Sequence, residues 1–166
     1  MSPYAVTKLE AEQYLLDNFG LKSWILRLSP IYSSDFLLNI YRRTKIGSSF
    51  YRVGKSLKKL SLCNIGNVVT VVEGIIKDKV PVGTYNLSDP KEYTYDELLQ
   101  WQKAKLVLYI PLIAVKLLYH LGKFTNIIFL KENTIKLISD NIFPSEKIRT
   151  YIDIKGTIYD VKWSNN

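Results

Sequence analysis

The chain has 166 residues, of which 47% are apolar, and it carries a formal net charge of +8 with a single cysteine. A chain of this length forms one domain with a substantial core, and its apolar content excludes a disordered tail. One cysteine excludes an internal disulfide and fits a reducing compartment, so we expect a cytoplasmic protein.

The first part of the chain predicts a helix followed by a buried strand. Residues Pro3 to Asn18 favour a helix, with proline in its first turn and Gly20 after its end. The apolar run from Ser23 to Leu28 is typical of a strand buried on both faces, as in a parallel sheet. A second helix is expected from Asp35 to Thr44, with Asp35 as its cap.

The middle of the chain predicts short strands and two more helices. Two strand-like pieces between Phe50 and Leu62 favour a hairpin around Gly54-Lys55-Ser56. A helix is expected over Asn67–Lys77 and a short strand over Thr84–Leu87. Thr94 to Glu97 match a capping box, which predicts that another helix starts there.

The last third of the chain predicts one strand and several helices. A strand is expected over Leu106–Ile110, a helix over Pro111–Leu121, and short helices over Ser145–Tyr151 and Thr157–Lys162. The longest apolar run, Leu106 to Val115, is too short to cross a bilayer, so we expect no membrane span.

Alternation of helices with short apolar strands indicates the α/β class. Only Trp24–Leu28 and Tyr85–Leu87 have the character of parallel core strands, and two strands do not cover their own edges. The alternation therefore predicts an α/β fold whose parallel sheet is incomplete.

Tyr4 and Lys8 lie four residues apart at the start of the first predicted helix. This spacing places them on one face of the helix, about 6 Å apart along its axis. A cation at about 4–6 Å stabilises a phenolate, so Tyr4 is a candidate for exchanging a proton with a sugar hydroxyl. An ordinary surface Tyr–Lys pair has the same spacing.

Sequence around this pair resembles the extended short-chain dehydrogenases, which include NAD-dependent nucleotide-sugar epimerases and dehydratases such as the UDP-glucose 4-epimerases. The family has a helix with the pattern P-Y-x-x-(S/T)-K-x-x-x-E. The matching segment of this sequence is Pro3-Tyr4-Ala5-Val6-Thr7-Lys8-Leu9-Glu10-Ala11-Glu12. Later segments are similar to family motifs in the same order, namely Leu26–Tyr32, Arg52–Lys55, Leu62–Val68, Gly83–Ser88 and Glu92–Leu99. The last third of the chain is only loosely similar to the family's variable substrate-binding region.

The resemblance implies a role for each matched position. Tyr4 would be the catalytic acid or base, and Lys8 would assist it and bind the nicotinamide ribose. Cofactor contacts would come from Lys8 together with Ser29, Pro30, Ile31 and Tyr32. Substrate contacts would come from Arg52 and Asn67. A guanidinium suits a diphosphate, although an exposed charge is the plain alternative for Arg52.

Several family features are absent from this sequence. No G-x-x-G-x-x-G fingerprint occurs among its eight scattered glycines, and only three residues precede Tyr4, so the family's catalytic serine or threonine is missing. Ser33 and Asn67 replace a glycine and an acidic residue that are usual in the family. We therefore expect NAD to serve the intact enzyme and not to be retained by this chain.

The resemblance implies an α/β fold made of an incomplete Rossmann-like parallel sheet remnant plus a mostly helical C-terminal substrate-binding region. Domain boundaries follow from the same resemblance. Residues 1–166 are expected to form a single C-terminal segment. Residues 1–33 and 60–88 would be the remnant of the NAD-binding Rossmann domain, and residues 34–59 and 89–166 the substrate-binding region.

The functional hypothesis is the C-terminal portion of an NAD-dependent nucleotide-sugar epimerase or dehydratase, inactive alone, with a nucleotide sugar as its substrate. A non-catalytic nucleotide-sugar-binding module and a basic protein that contacts acidic lipid or nucleic acid are the alternatives, although we expect no nucleic-acid partner. We also expect self-association, as a homodimer through the first helix.

The single histidine, His120, excludes a histidine-based triad and a zinc site. It lies with Lys116 on the otherwise apolar helix predicted over Pro111–Leu121. Packing in a substrate-side cap is the preferred interpretation of this helix, and a position on a membrane surface is the alternative.

Overall fold

A computed structural model describes residues 3–55 and 58–162 of the chain. The helices in this part are α1 (Pro3–Phe19), α2 (Leu38–Thr44), α3 (Ile65–Ile76), α4 (Tyr95–Trp101), α5 (Leu112–Phe124), α6 (Ile128–Ile138) and α7 (Glu146–Arg149). The strands are β1 (Trp24–Leu28), β2 (Ile31–Tyr32), β3 (Lys45–Ile46), β4 (Ser49–Val53), β5 (Lys59–Leu60), β6 (Cys63–Asn64), β7 (Gly83–Leu87), β8 (Tyr93–Thr94) and β9 (Val107–Ile110). The α/β class is confirmed.

Parallel pairing links segments that are distant in the chain. Strand β1 pairs in parallel with β7, with Leu26 opposite Tyr85, as expected from their apolar character. Strands β2 and β6 form a second parallel pair, and β4 and β9 form a third. The count of two parallel strands was therefore too low, because β2 and β6 are only two residues long and show no apolar run.

The hairpin expected between Phe50 and Leu62 is wrong. Strand β4 instead turns back on β3 through Gly47, which adopts a φ of +59° that suits glycine. Lys59 and Leu60 pair with β8, which lies far away in the chain. Of the predicted turn, Ser56 falls outside the described residues.

Helix α2 begins at Leu38 and not at Asp35. The backbone amides of Ser33 and Phe36 donate to each other's carbonyl oxygens, so the residues before α2 form a closed turn. The Asp35 amide donates to Ser33 Oγ within this turn. Leu37, and not Asp35, therefore stands at the N-cap position of α2, and its side chain makes no capping hydrogen bond.

Burial of β1 on both faces is also wrong. Trp24, Arg27 and Leu28 are exposed, and only Ile25 and Leu26 are half-buried. The physical reason is that, in the described part of the chain, β1 pairs with β7 alone, while α1 buries none of its side chains.

Helix α6 was not predicted, because it begins after Ile127 without a side-chain cap that a sequence pattern would reveal. Other boundaries are close to those expected, with α3, α4 and α5 shifted by a few residues. The Thr94 capping box is confirmed, since Thr94 Oγ1 accepts from the Glu97 amide and Glu97 accepts from the Thr94 amide. Near the end, α7 and the 3-10 turn Ile158–Asp160 are shorter than predicted.

Two clusters of buried side chains form the core. The first cluster is Tyr32, Leu37, Ile40, Leu60, Leu62, Tyr93, Tyr95, Leu98, Ile158 and Val161. The second cluster is Cys63, Val71, Val80, Tyr85, Leu87, Ile148, Ile152 and Ile154.

The carboxylate of Asp89 lies where these two clusters meet and is 3% exposed. Tyr32 and Tyr93 of the first cluster donate their hydroxyls to Asp89 Oδ2 at 2.5 and 2.8 Å. The Asn64 amide and the Asn67 side chain donate to Asp89 Oδ1 at 2.7 and 2.8 Å. Four donors on one buried carboxylate therefore join β2, β6, α3 and β8 at a single point.

Burial raises the pKa of the Asp89 carboxyl, and the hydrogen bonds from Tyr32, Asn64, Tyr93 and Asn67 act against this rise. Burial beside that carboxylate also raises the pKa of both Tyr32 and Tyr93. These two phenols consequently remain protonated at neutral pH and serve as hydrogen-bond donors.

Replacing the carboxylate by an amide, Asp89→Asn, is expected to lower the free energy of unfolding by about 2–4 kcal/mol. An amide places an NH₂ group where two donors converge, and each buried donor left without an acceptor costs roughly 1–3 kcal/mol. Chemical denaturation followed by circular dichroism measures this change. The matched control is Asp153→Asn at an exposed carboxylate, for which we expect a change below about 0.5 kcal/mol. Equal stabilities of the two variants would contradict the central role of Asp89.

The single thiol provides a second test of the core. Cys63 is fully buried, and burial raises the pKa of its thiol to about 12. Because the thiolate is the reactive form, Ellman's reagent at pH 8 is expected to modify the folded protein about 100-fold more slowly than the denatured one. Comparable rates would show that the second cluster is open in solution.

Candidate active-site cleft

An open cleft of about 640 Å³ lies between helix α1, strand β1 and the residues that follow β1. Its lining residues are Tyr4, Lys8, Ala11, Glu12, Leu15, Ile25, Leu26, Arg27, Leu28, Ser29, Ile31, Phe36 and Asn39. Small-molecule sites in α/β proteins occur in such a place, outside the carboxyl ends of parallel strands.

Tyr4 and Lys8 share one face of α1, as their spacing predicts. The Lys8 ammonium nitrogen lies 5.7 Å from the centre of the Tyr4 ring, and Tyr4 is 73% exposed. An exposed phenol with a neighbouring cation is accessible to a ligand in the cleft. In this respect Tyr4 differs from Tyr32 and Tyr93, which are enclosed by the core.

A forked ion pair ties α1 to β1. Arg27 Nε donates to Glu12 Oε2 at 3.0 Å, and Arg27 Nη2 donates to Glu12 Oε1. The hydrogen bond from Arg27 is the main cause that lowers the pKa of Glu12. Because α1 buries no side chain, this pair contributes directly to the position of Tyr4 and Lys8 above the strand.

Ser29 supplies a polar group at the floor of the cleft. Its hydroxyl is buried and has no hydrogen-bond partner among the described residues, whereas its backbone amide donates to the Leu87 carbonyl. The side-chain amide of Asn39 donates to the Ile31 carbonyl at 2.8 Å, which holds the backbone that follows Ser29 against α2. An unpaired buried hydroxyl beside a cavity is available to a polar ligand.

Four of the predicted catalytic and cofactor residues lie together in the cleft: Tyr4, Lys8, Ser29 and Ile31. The other two do not line it. The Pro30 carbonyl accepts the Cys63 amide, and the Tyr32 side chain points into the core towards Asp89.

The two predicted substrate residues lie elsewhere. Asn67 is buried, and both ends of its amide are used, by Asp89 and by the backbone of Gly156. Arg52 lines a separate open cavity of about 420 Å³, where its guanidinium lies 3.9 Å from Asp96 Oδ1 and over the ring of Tyr109.

Sequence reasoning missed the roles of Asp89 and Arg27. Asp89 directly precedes Pro90, a pair typical of a strand end, and no local pattern connects it with Asn64 or Asn67. A sequence signal did exist for Glu12, because it is the last residue of the motif that includes Tyr4. That motif does not reveal the partner of Glu12, Arg27, which lies on the following strand.

Comparison with family models and with curated proteins finds no match to the sequence. Comparison of the fold with solved structures does find similar proteins. L-threonine 3-dehydrogenase from Trypanosoma brucei matches with a TM-score of 0.60 and 14% identity, over 98% of this chain and 53% of that one. UDP-N-acetylglucosamine 4-epimerase from Bacillus cereus matches with a TM-score of 0.58 and 18% identity, over 92% of this chain and 50% of that one.

A third match is DesIV, a dTDP-glucose 4,6-dehydratase from Streptomyces venezuelae solved with NAD, with a TM-score of 0.58 and 15% identity, over 96% and 48%. The chain therefore has the fold of the corresponding part of these dehydrogenase, epimerase and dehydratase structures. It spans about half the length of the structures that it matches.

The ion pair between Glu12 and Arg27 predicts a pH-dependent attachment of α1. The folded state lowers the pKa of Glu12, so the stabilisation is present above the pKa of the unfolded chain and is lost as the pH falls through the folded value. Since Arg27 is largely exposed, the contribution is expected to be at most about 1 kcal/mol.

NMR of the Arg27 Nε–H group measures this effect. Its resonance is expected to titrate with Glu12 in the native sequence and to lose that titration in Glu12→Gln. The control is Glu73→Gln, which removes a surface pair on α3 and leaves the Arg27 titration unchanged. A titration that persists in Glu12→Gln would show that another acid controls Arg27.

Proposed function

We propose that this chain is the C-terminal portion of an NAD-dependent nucleotide-sugar epimerase or dehydratase. The observation that carries the proposal is the cleft, because it gathers Tyr4, Lys8, Ser29 and Ile31 on a fold of the matching type. The similarity of the sequence motifs around these residues supports the same conclusion.

In the proposed reaction, the Tyr4 hydroxyl exchanges a proton with a hydroxyl of the bound sugar. Its exposure to the cleft allows the close contact that general acid–base catalysis requires. Lys8 provides a positive charge on the same helix face, which stabilises negative charge that develops on the phenol oxygen. Its ammonium also donates hydrogen bonds to the nicotinamide ribose when the cofactor is bound. NAD, when bound, supplies the hydride acceptor for the sugar carbon.

The residues present fit one end of that cofactor. Ser29 offers an unpaired hydroxyl and Lys8 a cation, which suit the amide and ribose of a nicotinamide nucleoside. The pyrophosphate end requires closely spaced glycines before a helix, and the eight glycines of this sequence have no such arrangement. We infer that the chain needs a cofactor-binding half for turnover.

For the nucleotide, we propose the cavity that contains Arg52. Arg52 is shared there between Asp96 and the face of Tyr109, and the Asp96 contact of 3.9 Å is loose enough to yield to a diphosphate. Asn67 is assigned a structural role, because Asp89 and Gly156 already engage its amide.

Titration calorimetry with NAD and, separately, with UDP-glucose tests the proposal on the purified 166-residue chain. We expect UDP-glucose to bind, NAD not to bind, and no UDP-sugar to be converted. Arg52→Gln is expected to weaken UDP-glucose binding by about tenfold, since a charged hydrogen bond contributes roughly 1.5–3 kcal/mol. Arg42→Gln, at an exposed position on α2, is the matched control.

Each other outcome has a definite meaning. Binding of NAD, or turnover by the chain alone, would make it a self-sufficient enzyme and would contradict the inferred need for a second half. A catalytic hydroxyl acts mainly in the transition state, so Tyr4→Phe is expected to bind UDP-glucose as the native chain does. A large loss of affinity in Tyr4→Phe, with none in Tyr14→Phe at an exposed tyrosine of the same helix, would make Tyr4 a binding residue and not an acid–base catalyst. If neither NAD nor UDP-glucose binds, the family resemblance accounts for the fold but no longer predicts an activity for this chain.

A further inference from the structure

Helices α5 and α6 form an antiparallel pair, the α5–α6 hairpin, whose tip exposes large apolar side chains. Phe124 at the end of α5 is 90% exposed and Phe129 at the start of α6 is 77% exposed. Ile127 and Ile128 between them are also exposed. Apolar side chains concentrated at a protruding tip mark an interaction site.

The exposed residues continue as a stripe along α5. Ile113, Leu117, Leu121 and Phe124 are spaced by four, four and three residues, so they share one helix face. Val115 and Gly122 are buried on the opposite face, where Gly122 lies against Leu130 and Lys131 of α6. The apolar stripe of α5 therefore points away from the core, the reverse of an ordinary surface helix.

Positive charge follows the same hairpin. Residues 112–138, which span the hairpin, contain four lysines and a single glutamate. Lys116, His120 and Lys123 are exposed and are spaced by four and three residues, which places them in a row beside the apolar stripe. Lys131 is exposed on α6.

The base of the hairpin is fixed to the rest of the protein. Tyr95 donates its hydroxyl to the Lys136 carbonyl at 3.1 Å, and Leu137 packs against the first core cluster. The two helices approach closely at Gly122, where an added Cβ would lie 3.0 Å from the Lys131 amide nitrogen. The tip is thus presented by a braced pair of helices.

We propose that the α5–α6 hairpin binds the surface of a bilayer rich in acidic lipids. An apolar stripe flanked by lysines matches the boundary between acyl chains and anionic headgroups. Helices of 13 and 11 residues suit a position in the plane of that boundary. No helix in the described part of the chain is long and apolar enough to cross a membrane. Charge complementarity favours lipid over an apolar protein groove.

Vesicle flotation of the purified chain tests this proposal at about 150 mM NaCl, where exposed charges alone are strongly screened. We expect binding to vesicles of phosphatidylcholine with ~30% phosphatidylserine, and much weaker binding to phosphatidylcholine alone. The double variant F124S/F129S is expected to lose at least ~10-fold in affinity for the acidic vesicles, because two apolar anchors are removed. The variant K116Q/K123Q is expected to lose a similar factor.

Matched control variants separate the hairpin from general surface properties. I76S removes an equally exposed apolar residue from α3, and K22Q/K79Q removes two exposed lysines elsewhere. Both controls are expected to bind as the native chain does. Circular dichroism of each variant confirms that these exposed substitutions leave the fold intact.

Three outcomes would overturn the proposal. One is the absence of binding to acidic vesicles at this salt concentration. Another is an equal loss in K22Q/K79Q and K116Q/K123Q, which would mean that net charge alone attracts the protein. The third is a native chain that is oligomeric by light scattering and an F124S/F129S variant that is monomeric, without vesicle binding, which would make the tip a contact between copies of the chain.

Discussion

The buried carboxylate of Asp89 is the constraint on which the rest of the structure depends. A charge in this position is costly unless donors surround it, and Tyr32, Tyr93, Asn64 and Asn67 provide them. In the family that the sequence resembles, an acidic residue is usual at position 67. With asparagine there, an amide donor faces Asp89, whereas a second carboxylate would repel it. The same amide closes onto Gly156 and so holds the end of the chain against α3.

Exposure separates the structural tyrosines from Tyr4, the proposed catalytic residue. The two that contact Asp89 are locked as donors, while Tyr4 stands on a helix that the core does not cover. That helix is placed by the Glu12–Arg27 fork and by its connection to β1. Because one exposed ion pair contributes at most about 1 kcal/mol, α1 is free to shift when a ligand or a second polypeptide binds.

The candidate active-site cleft and the exposed apolar surface lie on different elements of the fold. The cleft belongs to α1 and the end of β1, and the exposed apolar stripe belongs to the α5–α6 hairpin. Their lining residues are separate, so substitutions in the hairpin test surface binding without altering the cleft. A protein that acts on a nucleotide sugar beside an acidic bilayer would use both features together.

The sequence by itself determined the α/β class, the helix of Tyr4 and Lys8, the parallel character of β1 and β7 and the Thr94 cap, because each depends on local periodicity or on a short motif. Only the tertiary structure decided the partner of Arg52, the internal role of Asn67 and the pairing of β4 with β9. Those features join residues far apart in the chain. Local pattern carries no information about which distant donor reaches a buried acceptor, and packing alone settles which apolar face remains uncovered.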